Sequence, residues 1–266
     1  MDNDSSLRTY KLLVAYEGTD YSGWQIQPCK RTIQGELQGA LCEIAGEPIS
    51  VMGSGRTDAG VHAMGQIASC RLRWPSSPGQ LAMALNTKLP PDIVVRESVE
   101  VVDDFHPIRD ALRKRYRYQL QIGGYASPFE RRFRWRLKRR VVTKDMQMAA
   151  GMLVGQHDFA SFQATGADRK STVRTVFDCD VFTQFEDRES DLEMLAIEVE
   201  ADGFLYNMVR NIVGSLVQIG YGKQDPTWLQ EVLAARDRSI AGPTAPAHGL
   251  FLMQVDYSNE IYRFEK

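Results

Sequence analysis

The stretch Gly53-Ser54-Gly55-Arg56-Thr57-Asp58-Ala59-Gly60-Val61-His62-Ala63 follows one apolar run and leads into another, residues 49–52 and 61–72. Both runs predict strands, so the glycine-rich stretch is expected to form a loop at the end of a sheet. Glycine permits positive φ and lets a ligand approach the backbone closely. In extended backbone, Arg56 and Asp58 would point to one side and Thr57 to the other. Loops held by a rigid sheet often carry chemistry, so this loop is a candidate functional site.

The residues of the loop also allow simpler interpretations. An Asp followed by Ala-Gly is a common turn sequence, in which the carboxylate bonds its own backbone. A phosphate cradle fits less well. No Gly-Lys-Ser/Thr follows at the Walker spacing, and Asp58 occupies the place of the third glycine in a dinucleotide fingerprint. The pattern alone therefore leaves a structural turn and a catalytic loop both open.

Composition places broad limits on the chain. With 266 residues, 43% hydrophobic and 25% charged, it is expected to form one large or two modest soluble domains. No apolar run is long enough to span a bilayer, and residues 1–6 form a polar tail without a signal-peptide core, so we predict a cytoplasmic protein. The four cysteines and four histidines show no metal-ligand spacing, and we predict free thiols and no metal.

The net charge of -2 is the average of two opposite blocks. Residues 107–140 carry twelve basic and two acidic side chains, whereas residues 178–202 carry ten acidic and one basic. A basic block of this kind favours a polyanionic partner, although a solvated charged face is the alternative.

Periodicity predicts an α+β protein built of two related halves, 7–107 and 108–266. In the first half, residues 10–17 alternate as a strand, Thr32 can cap a helix, and Ser77-Pro78 opens a second helix with Leu81, Met83 and Leu85 facing inward. Residues 103–110 lack periodicity and are placed at the hinge. From Arg113 the order of strand, helix, strands and helix begins again.

The second half contains an unusual alternation. Four cations, Arg132, Arg134, Arg136 and Lys138, alternate with apolar residues, which predicts a strand with one cationic face. Because like charges side by side destabilise a sheet, we interpret this face as a contact for an RNA backbone.

Continued through Met64-Gly65-Gln66, the loop resembles the catalytic signature of the TruA family of tRNA pseudouridine synthases. The resemblance extends over nearly the whole chain and is carried further by four segments, residues 16–25, 115–118, 204–214 and 241–246. It implies that Asp58 is the catalytic residue, that Tyr116 is the active-site tyrosine, and that Arg210 is the helix arginine that pairs with the catalytic Asp. Arg56 would fill the gap left by a flipped nucleotide.

The resemblance also implies a fold, a reaction and partners. It implies two ferredoxin-like or RRM-like halves with joined antiparallel sheets, a central catalytic cleft and a homodimer. The reaction would convert uridine to pseudouridine at positions 38, 39 and 40 in the anticodon stem-loop of tRNA. This isomerisation changes no oxidation state and transfers no group, so no cofactor is implied. Asp58 could attack C1′, add to uracil C6 or abstract a ribose proton.

The sequence departs from the family pattern at two places, and two other functions remain as alternatives. Ile108 and Arg109 stand where the family commonly has an Arg followed by an aromatic residue, and Asn207 stands where His is frequent. Neither position is assigned to chemistry. The rivals are a non-catalytic RRM-like tRNA-binding protein or chaperone, and a synthase that acts at other RNA positions.

Overall fold

The computed structural model describes residues 6–164, 166 and 171–263. The strands within these residues are β1 (Leu7–Tyr16), β2 (Val51–Gly53), β3 (His62–Arg73), β4 (Ile93–Val101), β5 (Ala111–Gly123), β6 (Trp135–Leu137), β7 (Gly155–Asp158), β8 (Val173–Asp187), β9 (Leu192–Ala201) and β10 (Leu250–Tyr257). The helices are α1 (Ile33–Ala45), α2 (Pro78–Asn86), α3 (Thr143–Gly151), α4 (Met208–Gly220) and α5 (Trp228–Ala235). Together they form an α+β protein whose strands pair mostly antiparallel.

The chain divides into two compact units, of which the first comprises Met1–Leu112 and Leu252–Lys266. Its elements follow the order β1, α1, β2, β3, α2, β4. Strand β1 pairs antiparallel with both β3 and β4, and β2 pairs with β3, which gives the strand order β4-β1-β3-β2. This order confirms the ferredoxin-like arrangement predicted for the first half.

The second unit comprises Arg113–Phe251. Its strands lie in the order β5-β9-β8-β7 with antiparallel pairing, and the short β6 pairs parallel with β5. The sequence of strand, helix, two long strands and helix recurs here as β5, α3, β8, β9 and α4. The repeated order of elements predicted from the periodicity is therefore present.

Local sequence signals set the helix boundaries in the first unit. The hydroxyl of Thr32 accepts a hydrogen bond from the Gly35 amide at 3.3 Å, and Gly46 ends α1 with φ +70°. Ser77 and Gln80 form a capping box at the start of α2. The prediction that Met83 faces inward is wrong, because its side chain is 70% exposed. Leu81 and Leu85, four residues apart, lie on the buried face of the helix, and Met83 lies between them on the opposite side.

The predicted cationic strand over residues 132–138 is also wrong. Only Trp135–Leu137 forms a strand, while Arg132 lies in a turn. The amides of Phe133 and Arg134 both bond to the Glu130 carbonyl, at 2.9 and 3.1 Å. The Glu130 carboxylate also binds Arg134, so a local turn with an (i, i+4) ion pair takes the place of the extended backbone.

Two expectations concern the ends of the chain and membranes. Residues 1–5 of the predicted polar tail, and the last three residues of the predicted half 108–266, lie outside the described part of the chain. Across the described residues, none of the helices has the length and apolar character that crossing a bilayer would require.

Two helical glycines provide a test of the packing. A Cβ on Gly214 in α4 would overlap the Pro243 carbonyl oxygen, whereas a Cβ on Gly39 in α1 would meet nothing within 4 Å. We expect Gly214→Ala to lower the free energy of unfolding by about 1–3 kcal/mol through overpacking. Gly39→Ala should raise it by about 0.5–1 kcal/mol because alanine favours the helix. Urea unfolding of both variants measures the difference, and equal effects would contradict the close approach at Gly214.

Candidate active site

The loop between β2 and β3 carries Arg56 and Asp58 at positions that are more exposed than the residue between them. Arg56 is exposed and Asp58 is half-buried, whereas Thr57 between them is only 6% exposed. The backbone turns directly after Asp58, where the Val61 amide bonds to the Asp58 carbonyl at 3.1 Å and Gly60 adopts φ +77°. The exposure of residues 56–58 alternates as the predicted spacing would require, with Thr57 buried between two more exposed charged residues.

Thr57 attaches the loop to the segment 16–24 through two hydrogen bonds. Its hydroxyl lies 2.8 Å from the Tyr16 phenol, and its carbonyl accepts the Trp24 amide at 3.0 Å. Burial raises the pKa of Tyr16 to about 12, so the phenol stays neutral and remains a hydrogen-bonding group at physiological pH. Because Thr57 directly precedes Asp58, these bonds hold the backbone that carries the carboxylate.

The segment from Gly18 to Trp24 supports the loop by close backbone contact. Gly23 has φ +92°, and a Cβ there would lie 2.6 Å from the Thr57 carbonyl oxygen. A Cβ on Gly53 would lie 2.5 Å from the indole of Trp24. Both glycines are therefore required because the two segments lie in direct contact. Of the three loop glycines, Gly60 has the positive φ that the sequence suggested for the loop, and Gly53 serves instead to admit the Trp24 ring.

Two more motif side chains are structural. The Gln66 side chain accepts from the Ser54 hydroxyl at 2.7 Å and donates to the Gly55 carbonyl at 3.1 Å. His62 is 1% exposed and its Nδ1 accepts the Gly18 amide at 3.0 Å. These bonds satisfy buried polar groups of the loop and attach it to its neighbours in the fold.

In the second unit, Tyr116 lies on β5 and is 9% exposed. Its ring packs edge-to-face on Phe204, with 5.0 Å between ring centroids and 84° between planes. Tyr118 follows on the same face of β5 and donates its hydroxyl to the Pro246 carbonyl at 2.8 Å. Burial raises the pKa of Tyr118, and the positive charge of Arg210 opposes that rise. Arg210 therefore lies near Tyr118, which shares a face of β5 with Tyr116.

Arg210 lies in the first turn of α4, as predicted, and two bonds orient its guanidinium. Nε donates to the Ala245 carbonyl at 2.7 Å, and Nη1 donates to the Asn207 side-chain oxygen at 2.8 Å. Asn207 adopts φ +59°, a left-handed conformation that asparagine tolerates well. The departure from the family pattern at Asn207 therefore lies next to a predicted site residue and helps to position it.

The two charge blocks of the sequence neutralise each other across one pair of strands. Arg115 and Arg117 on β5 lie directly opposite Glu200 and Glu198 on β9, and each pair forms a salt bridge. Arg113 adds a third bridge, to Glu200 at 3.1 Å. Burial raises the pKa of Glu200, but the hydrogen bonds from Arg115 and Arg113 outweigh it and the net shift is downward. Four of the twelve cations in the basic block, Arg113, Arg115, Arg117 and Arg140, therefore pair with carboxylates of β9.

The residues that hold the candidate loop and Arg210 in place were not among those predicted from the sequence. Tyr16, Gly23 and Trp24 hold the loop, while Asn207 and Ala245 hold Arg210. The sequence offered a signal in their position, because all five lie in segments that carry the family resemblance, residues 16–25, 204–214 and 241–246. Most of these roles required the structure, because the bonds from Tyr16 and Trp24 to Thr57 and from Arg210 to Ala245 join residues 33 to 41 positions apart.

The chain is similar to known proteins over most of its length. A family described as tRNA pseudouridine synthase matches residues 12–108 and 149–258. Three similar relatives, each named tRNA pseudouridine synthase A, come from Thermoanaerobacter sp. (strain X514), Ruminiclostridium cellulolyticum and Shouchella clausii. They are 39%, 42% and 43% identical to this chain. Each alignment covers 94% of this chain, and 100%, 100% and 93% of the respective relative.

These matches define the class as RNA-modifying enzymes that isomerise uridine. The chain belongs to the tRNA pseudouridine synthase family.

The bond between Tyr16 and Thr57 can be tested by a double-mutant cycle. Tyr16→Phe and Thr57→Val should each lower the free energy of unfolding by about 1–3 kcal/mol, because each leaves a buried hydroxyl without its partner. The double variant should lose less than the sum, with a coupling of at least about 0.5 kcal/mol. Thr57→Ser keeps the hydroxyl and serves as the control. Additive losses in urea unfolding would show that the two hydroxyls do not interact.

Proposed function

We propose that this protein isomerises uridine to pseudouridine at positions 38, 39 and 40 of tRNA, with Asp58 as the catalytic residue. The supporting observation is the loop itself, in which the half-buried Asp58 follows the anchored Thr57 and Arg56 is exposed two residues before it. A protein that merely binds RNA has no use for a carboxylate on such a rigid loop, since it would repel the phosphates.

The reaction breaks the bond between ribose C1′ and uracil N1, turns the base, and joins C1′ to C5. N1 gains a proton and C5 loses one, so atoms and charges balance without a further reactant. Asp58 would act at C1′, at uracil C6 or on a ribose proton, and each of these roles requires an ionised carboxylate at a fixed place. A site that excludes water would protect the intermediate while the base turns.

The other predicted residues are proposed to bind the substrate. Arg56 would enter the space vacated by the flipped nucleotide, because it is exposed and lies two residues from Asp58. Tyr116 would stack on the uracil and assist loss of the C5 proton. Arg210 would bind the reacting nucleotide, and its bonds to Ala245 and Asn207 would reduce the conformational entropy lost on binding.

The catalytic proposal is tested with tRNA that carries tritium at uridine C5. The wild-type protein should release tritium to water, and Asp58→Asn should reduce the release at least 10³-fold, on the order expected for loss of an essential catalytic group. Arg56→Lys keeps a cation at the loop and should retain part of the activity.

The outcomes separate the candidate functions. Release by neither protein would favour the non-catalytic RNA-binding alternative. Release at uridines outside positions 38–40, located by sequencing the product, would favour a synthase with other target sites.

We propose that the four predicted cations, Arg132, Arg134, Arg136 and Lys138, contribute unequally to binding the RNA backbone, because their surroundings differ. Arg134 is bound by Glu130 at 2.6 Å and by Gln184 at 3.2 Å, and Arg132 is half-buried. Arg136 and Lys138 are both exposed, and Arg136 donates to the Gly124 carbonyl at 2.8 Å. We propose that Arg136 and Lys138 make the stronger contacts with RNA phosphates.

Substitution of Arg134, Arg136 and Lys138 tests which of these cations bind RNA and which stabilise the fold. Arg136→Gln with Lys138→Gln should weaken tRNA binding and reduce the salt dependence of the affinity, because each lost phosphate contact lowers the slope of log K against log salt by about 0.7–0.9. Arg134→Gln should change stability more than the slope. Fluorescence anisotropy with labelled tRNA at several salt concentrations measures both, and equal slopes for all variants would refute the ranking.

We further propose that the protein works as a cytoplasmic homodimer. Support comes from the family resemblance and from the substrate, since tRNA is processed in the cytoplasm. Analytical ultracentrifugation of the purified protein tests the dimer, and a monomer at micromolar concentration would contradict it.

A further inference from the structure

A cluster of two cations around one aromatic ring lies at the end of α4. The Arg139 guanidinium carbon lies 5.2 Å from the centroid of the Tyr221 ring, and the Lys223 ammonium lies 5.9 Å from it. Both cations are exposed and the tyrosine is half-buried. The Val142 amide bonds to the Gly220 carbonyl at 2.8 Å, which ties the segment after Arg139 to the end of the helix. We name these three residues, Arg139, Tyr221 and Lys223, the Tyr221 cluster.

The cations of the Tyr221 cluster are not neutralised by the protein. Within residues 6–164, 166 and 171–263, neither Arg139 nor Lys223 forms an ion pair. The next residue, Arg140, differs in this respect, because it pairs with Asp191 and with Glu193. The three arginines of β5 are similarly paired with β9. The cluster is thus one of the places where the basic block of the sequence remains available to an outside anion.

The ring gives the cluster a fixed geometry. A guanidinium that packs against an aromatic face keeps all of its N–H donors at its edges, where they can bind phosphate oxygens. Two cations held near the same ring repel each other, and an anion between them would remove that repulsion. The exposed N–H donors and the repulsion between the cations both favour binding of an anion. A phosphate group suits this place better than a carboxylate, because it presents more acceptor oxygens.

The position of the cluster relative to Arg210 suggests which phosphates it meets. Arg210 lies in the first turn of α4 and Tyr221 directly follows its last residue. At about 1.5 Å per residue, the helix separates them by roughly 16 Å. This distance is too long for one nucleotide, but an RNA stem presents phosphates along its whole length.

We propose that the Tyr221 cluster binds the phosphate backbone of the tRNA at a place separate from the modified uridine. This inference rests on the proposed function, in which tRNA is the substrate and Arg210 binds the reacting nucleotide. Because the contact is made to phosphates, it contributes equally to the affinity for tRNAs of different sequence. It would raise the affinity for tRNA without taking part in the reaction.

The experiment compares two double variants that remove the same charge. Arg139→Gln/Lys223→Gln removes the unpaired cations, and Arg140→Gln/Arg188→Gln removes two cations that are paired with acids. The first should weaken binding of full-length tRNA about 5- to 10-fold per lost contact near 0.1 M salt and lower the salt slope by about 1–2. The second should leave the slope unchanged. In the tritium assay, the first should raise KM while kcat stays within about 2-fold of wild type.

Two further measurements make the outcome decisive. Tyr221→Phe retains the ring and should bind tRNA like wild type, whereas Tyr221→Ala should lose part of the affinity. Single Lys223→Gln, at an exposed position, replaces the double variant if the latter is less stable to heat. Equal salt slopes for the two double variants would overturn the cluster as an RNA contact. A wild-type protein that binds tRNA through the cluster yet releases no tritium would overturn the proposed function instead.

Discussion

The attachment of Thr57 to Tyr16 and Trp24 is the constraint on which the proposed site depends. One hydroxyl pair and one backbone bond hold the residue that precedes Asp58. Glycines at 23 and 53 let the two segments approach within van der Waals distance. A carboxylate on a free loop would sample many positions and lose the benefit of a fixed geometry, whereas this loop has little freedom left. The segment 16–25, which carries part of the family resemblance, therefore holds the loop 53–63 in place.

Arg210 is held by the same kind of arrangement in the second unit. A side-chain oxygen from Asn207 and a carbonyl from Ala245 leave the guanidinium few alternative orientations. Elsewhere in this unit, β9 neutralises the arginines of β5, so charge density along the sequence is a poor guide to the surface that meets RNA. The cations that remain available are those whose neighbours in space carry no carboxylate. Only their surroundings distinguish Arg139 from Arg140.

Much of the fold could be predicted because its signals are local. The cap of α1 at Thr32, the capping box at Ser77 and the repeated order of strands and helices depend on residues within a few positions of one another. Met83 was assigned to the wrong face because a spacing of two does not repeat on a helix. The cationic strand was wrong because alternation alone cannot detect a competing turn at Glu130.

The sequence by itself determined the identity of the candidate loop, the alternation that turns Thr57 away from Arg56 and Asp58, and the family to which the chain belongs. Tertiary structure decided what holds that loop, what orients Arg210 and which cations are neutralised. The physical reason is distance along the chain. Propensity, capping and alternation act between near neighbours, whereas the bond from Tyr16 to Thr57 and the bridges from β5 to β9 join residues 41 to 87 positions apart and exist only once the strands have paired.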